Sequence, residues 1–115
     1  MKSPITTHVL DTTLGRPATG ISVVLEMQSE NNEWKELARG TTNTDGRIFD
    51  LLPENFQLAV GFYSLIFDTK SYYVSKGIKT FYPVVPIIFE IAETQSHYHI
   101  PLLISPYGYS TYRGS

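Results

Sequence analysis

The chain has no cysteine among its 115 residues. That absence excludes disulfides and thiolate metal sites, and removes cysteine as a nucleophile. Charge is sparse as well, with 17% of residues being Asp, Glu, Lys or Arg and a formal net charge of -2. So even a balance gives no electrostatic case for nucleic acid or an anionic membrane as partner. Long apolar runs are also missing. The opening residues Met1-Lys2-Ser3-Pro4-Ile5-Thr6-Thr7 are too polar for a secretory leader. No later segment approaches the roughly 20 apolar residues that cross a bilayer. The final Tyr112-Arg113-Gly114-Ser115 is not a peroxisomal tripeptide. A soluble, cytoplasmic protein is the expectation. There is no Gly-rich phosphate loop and no nucleophile elbow.

What is present is a foldable core. Hydrophobic residues make up 42% of the chain, and its length suits one domain spanning 1–115. A domain of this size buries roughly two-thirds of its unfolded surface. Most segments alternate apolar and polar with a period of two, the mark of half-buried strands. Ile5, Thr7 and Val9 oppose Thr6, His8 and Leu10. Ile21, Val23, Leu25 and Met27 form a second apolar row, and Tyr63, Leu65 and Phe67 a third. Ser29 to Glu33 reads as a hairpin loop into a strand starting near Trp34. That strand ends at Asn43-Thr44-Asp45-Gly46, where glycine supplies positive φ at little cost. Asp68-Thr69 caps a short helix from Lys70 to Lys76, stopped by Gly77. Strands follow over Ile87–Ile91, over the stretch from His97 to Ser105, and over Tyr109–Arg113. Seven or eight strands with one short helix, and no crossover helices, predict an all-β antiparallel sandwich.

The segment His97-Tyr98-His99-Ile100-Pro101-Leu102-Leu103-Ile104 has two faces. Tyr98, Ile100, Leu102 and Ile104 read as core. His97, His99, Pro101 and Leu103 point the other way, as His8 and Leu10 do on the first strand. Outward histidines are ordinarily solvated. Apolar companions on the same faces point instead to a groove or a subunit interface. His97 and His99, two apart on a strand, share a side and form a weak metal pair that His8 could complete. The spacing is common by chance and no carboxylate motif stands beside it. Arg47, directly after the Asp-Gly turn, is by default a solvated cation; its functional reading is a planar donor fork for a carboxylate, a ring oxygen or an oxyanion.

The same residues carry a resemblance. The stretches TTHVLDTTLGRPA (Thr6 to Ala18), TNTDGR (Thr42 to Arg47), FYPVVPIIFEI (Phe81 to Ile91) and HYHIPLLISPYGYSTYRGS (His97 to Ser115) resemble transthyretin-related proteins. The likeness is specifically to the 5-hydroxyisourate hydrolases of purine catabolism, which end in Tyr-Arg-Gly-Ser. It implies a transthyretin-like sandwich that hydrolyses 5-hydroxyisourate to 2-oxo-4-hydroxy-4-carboxy-5-ureidoimidazoline. It implies a homotetramer with substrate sites where dimers meet, and no metal or organic cofactor. By motif position it makes His8, Arg47 and His99 catalytic. His8, Arg47, Tyr112 and Ser115 become substrate-binding, while His97 has a supporting role at most. A transthyretin-like carrier of a small aromatic ligand is the alternative, and it predicts an apolar channel.

Overall fold

A computed structural model describes residues 2–115. Its strands are β1 (Ile5–Asp11), β2 (Arg16–Pro17), β3 (Ser22–Gln28), β4 (Trp34–Thr41), β5 (Arg47–Ile48) and β6 (Gly61–Phe67). The helix α1 (Thr69–Val74) follows, then β7 (Val85–Ile91), β8 (Tyr98–Ser105) and β9 (Gly108–Thr111). Two sheets face each other. One runs β2-β1-β8-β9, with β5 also on β1, and the other runs β4-β3-β6-β7. The core between them holds Ile5, Val9, Ile100, Leu102 and Ile104 from the first sheet. Val23, Leu25, Tyr63, Leu65 and Phe67 come from the second. These are the rows that the period of two marked as apolar.

Three expectations shift in detail. The pairing of β1 with β8 is parallel, Ile5 opposite Tyr98 through Asp11 opposite Ile104, although every other pairing is antiparallel. No crossover helix is needed, because the chain between these strands builds the whole second sheet before it returns. The helix ends earlier than Lys76: Lys76 and Gly77 donate to the Tyr73 and Val74 carbonyls in tightened turns. Gly77 then takes φ +70, and Ile78 N–H returns to the Tyr73 carbonyl. The final strand stops at Thr111, after which Gly114 alone bridges back to His99. Asp68 caps the helix as expected, accepting from Ser71 N–H at 3.1 Å. Pro86 lies within β7, a sheet edge where a missing N–H is tolerated.

Candidate active site

β1 is the strand that assembles the site. On one edge it holds β5, with His8 opposite Arg47; on the other it holds β8, with Thr6 opposite His99 and His8 opposite Pro101. Register partners share a sheet face, so Thr6, His8, Arg47 and His99 all stand on the outer face of this sheet. Arg47 and His99 flank β1 at two strand spacings, about 10 Å, a gap that a long arginine side chain can narrow.

Arg47 is delivered there by a tight loop. The Asn43 side-chain oxygen accepts from Asp45 N–H at 2.9 Å and from Arg47 N–H at 3.0 Å, while Gly46 N–H donates to the Asn43 carbonyl at 2.8 Å. Gly46 has φ +73, and a Cβ there would run into the Val9 carbonyl oxygen. Only glycine lets this turn press against β1. The Gly46 carbonyl then accepts from Val9 N–H at 2.7 Å. The turn and β1 are thereby locked together, and Arg47 is held beside His8.

An open hollow of about 360 Å³ lies on this face, lined by Thr6, Arg47, Phe49, His97, His99 and Ser115 among others. Its size falls within the range of small-molecule clefts, about 300–1,000 Å³. Lys2 also lines it, so its lining side chains bring cations and imidazoles but no Asp or Glu. Among the described residues the one ion pair joins Arg39 to Glu36, leaving Arg47 without a carboxylate partner. The Thr6 hydroxyl lies 2.8 Å from His99 Nδ1 and 3.1 Å from His97 Nε2. The two imidazoles are nearly parallel, at 15°, with ring centroids 6.5 Å apart.

All three histidines are held below their ordinary pKa. Burial is the main cause for each. Arg47 adds to it for His8; Lys2 does so for His97; Arg47, then His97, His8 and Lys2, do so for His99. At neutral pH these rings are therefore uncharged, and a neutral imidazole can accept a proton from water. Among the described residues no group of three or more His, Cys, Asp or Glu side chains is placed to hold a metal ion.

The sequence-predicted residues separate into two sets. Arg47, His99 and Ser115 line one hollow, with His8 in register beside Arg47. Tyr112 does not join them in this structure. It is exposed and lines a different hollow of about 260 Å³ with Ile87, Phe89, Tyr98 and Arg113. His97, left with an uncertain role by its sequence, lines the first hollow beside His99. Pro101 is buried, and its carbonyl accepts from the Thr111 hydroxyl at 2.7 Å, so the chain's own tail covers it.

Two site residues were not singled out by motif. Thr6 shows in the sequence only as a neighbour of His8 on the outward face; its pairing with His99, 93 positions away, depends on the parallel register. Gly114 donates its N–H to the His99 carbonyl at 2.8 Å. A Cβ at Gly114 would come 2.7 Å from His99 Cδ2, so the tail can lie over the ring only as glycine. Arg113 fixes the approach, its guanidinium 4.4 Å from the Tyr98 ring centre.

Comparison with known proteins now adds lineage. The family model described as "HIUase/Transthyretin family" matches residues 5–114. A 5-hydroxyisourate hydrolase of Salmonella dublin is 50% identical over 111 residues, covering 96% of this chain and 80% of that protein. The solved Klebsiella pneumoniae 5-hydroxyisourate hydrolase is 36% identical with a TM-score of 0.84, covering 96% of this chain and 97% of the other. Sea bream transthyretin in complex with thyroxine is 31% identical with a TM-score of 0.91, covering 97% of this chain and 95% of the other. The chain belongs to the HIUase/Transthyretin family.

Proposed function

We propose that this protein hydrolyses 5-hydroxyisourate, opening its ring to give 2-oxo-4-hydroxy-4-carboxy-5-ureidoimidazoline in the cytoplasmic breakdown of urate. The observation that carries this reading is the meeting of Arg47 and His99 in one hollow, on a chain half identical to a hydrolase of that name. Fold alone does not decide the matter, because the sandwich overlays on a thyroxine-binding transthyretin as well as on a hydrolase. The carrier alternative calls for an apolar channel, whereas this hollow presents Lys2, Arg47, His97 and His99.

In the proposed mechanism water attacks a ring carbonyl and the carbon–nitrogen bond breaks. His99, uncharged at neutral pH, takes the proton from the attacking water and, as the imidazolium, returns it to the departing ring nitrogen. General base catalysis of this kind contributes about 10²- to 10⁴-fold. Arg47 offers its fork to the oxygen-rich ring and stabilises negative charge on the attacked carbonyl. His8, in register with Arg47, holds the water or the ring from the β1 side. Ser115 forms part of the wall. No metal or organic cofactor takes part.

The assembly belongs to the same proposal: a homotetramer with its sites where dimers meet. Two features support it. Exposed Phe81, Tyr82, Val84, Ile88 and Tyr109 lie on or near the open edges formed by β7 and β9, an apolar surface that subunit contact would cover. Tyr112, which lines a different hollow in its own protomer, would serve substrate from a neighbouring subunit.

Freshly generated 5-hydroxyisourate, followed by its ultraviolet absorbance, should decay much faster with the protein than without it. A chelator should leave that rate intact. Decay no faster than buffer, together with tight thyroxine binding, would replace the hydrolase reading with the carrier one.

A further inference from the structure

The mechanism proposed above uses His99 but leaves Thr6 and His97 without a task, and the structure links all three. The Thr6 hydroxyl sits between His99 Nδ1 at 2.8 Å and His97 Nε2 at 3.1 Å. A hydroxyl carries one proton, so it donates in one of these contacts and accepts in the other. With both rings neutral, two arrangements are possible. If Thr6 donates to His99, then His99 bears its proton on Nε2 and has no free lone pair for water. If Thr6 donates to His97, then His99 donates Nδ1–H to Thr6 and keeps the Nε2 lone pair free. Only the second arrangement leaves a base.

We propose that Thr6 is a positioning residue which, with His97 Nε2 as the acceptor of its proton, holds His99 in the Nδ1–H tautomer. The inference deepens the reading of His99 as water-activating base and rests on it. His97 thereby gains a function without touching substrate. It must stay neutral, because a protonated His97 would turn Nε2 into a donor and force Thr6 to donate to His99. Burial and Lys2 both favour the neutral ring. The other charged or titratable side chains around the pair are His8, Arg47 and Arg113, the last 3.5 Å from the His97 carbonyl oxygen. None of these is an acid that would draw a proton onto His97. During the reaction the proton moves from water to His99 Nε2, while Nδ1–H stays on the Thr6 oxygen. No proton leaves Thr6. With its O–H donated to His97, its oxygen is an oriented acceptor for the Nδ1–H of the imidazolium that forms.

Long-range proton–nitrogen correlation on the ¹⁵N-labelled full chain reads the tautomer directly. In the parent at neutral pH, His99 should show a protonated Nδ1 and a bare Nε2, with His97 showing the same pattern. Thr6→Val keeps the shape without the hydroxyl and should shift His99 toward the Nε2–H form, with kcat/KM falling about 10- to 100-fold. Thr6→Ser should recover most of that loss, and His97→Phe should shift the His99 tautomer in the same direction as Thr6→Val. A parent His99 protonated on Nε2 overturns the proposal whatever the variants do, as does an unchanged His99 tautomer in a folded Thr6→Val protein. The base reading fails separately: His99→Asn with normal turnover would sink it while leaving the tautomer assignment standing.

Discussion

Strand β1 presents polar groups on both faces, and the two clusters behave differently. Near its start, on the outer face, Thr6 and His8 meet Arg47 and His99 beside an open hollow. At its end, on the core face, Asp11 is fully buried. There it accepts from Thr13 N–H at 3.0 Å, Leu14 N–H at 3.1 Å and the Tyr72 hydroxyl at 2.8 Å. Burial first, then the bond to Asp11, raises the Tyr72 pKa far above its ordinary value, so the phenol stays a donor. Tyr73 packs edge-on against Tyr72 with ring centres 5.1 Å apart, and burial pushes its hydroxyl up to about 12. In the inner cluster the Asp11 carboxylate, met by three donors, fastens helix α1 and the loop after β1 to the core, while the Tyr73 hydroxyl is buried without a partner among the described residues. The outer cluster is half exposed, rich in cations and imidazoles, and has lone pairs to spare. A carboxylate satisfied by three donors contributes to stability; histidines kept neutral beside a free arginine are suited to chemistry.

Substitutions that separate the two clusters sharpen this contrast. The largest effect is expected outside: His99→Asn or Arg47→Gln should lower turnover about 10²- to 10⁴-fold, with unchanged circular dichroism and assembly size. Near-normal turnover in both would end the outer cluster's claim to chemistry. Gly114→Ala comes next, since its methyl would crowd His99 Cδ2. A displacement of about 1 Å costs up to about 10²-fold, so kcat should fall by tens of fold while urea unfolding hardly moves. Asp11→Ala tests the inner cluster, stranding two backbone donors and the Tyr72 hydroxyl. It should cost about 3 kcal/mol in urea unfolding, with turnover per folded molecule near that of the parent. Equal losses of activity and stability in that variant would merge the two regions into one.

The smallest effect is the pH dependence. The three histidines are depressed in the folded protein, so below the ordinary value of about 6.5 the unfolded chain binds more protons. Their contribution is complete above that value and is lost as pH falls through the folded pKa values. The melting temperature should decline on acidification from neutrality, and the acid limb of kcat/KM should have its midpoint below 6.5. A limb above that value would contradict a neutral, buried base.

Much of this molecule is legible from local pattern because side chains alternate along a strand. The core rows of β1, β3, β6 and β8 follow from apolar residues two apart, and the same alternation sends His8 and His99 outward. Asp68 and Gly77 mark the helix ends through short-range hydrogen bonds and a positive φ. Asp45-Gly46 marks the turn that carries Arg47. Each of these depends on neighbours a few residues away, and such signals survive in a linear text.

Register and packing do not. Which residue faces His99 is settled by a parallel pairing between strands near the two ends of the chain, and no local rule sets that partner or its direction. From sequence Thr6 therefore reads as a strand residue two positions from a histidine, whereas the fold puts its hydroxyl between two imidazoles. The buried Asp11, the glycine lying against His99, and the placement of Tyr112 on a different hollow come from the same level of organisation. Residue chemistry and periodicity selected the candidates, and the sheet registers decided which of them could meet. The physical reason is range: alternation and capping act over a few residues, whereas long-range strand pairing depends on burial summed over the whole sandwich.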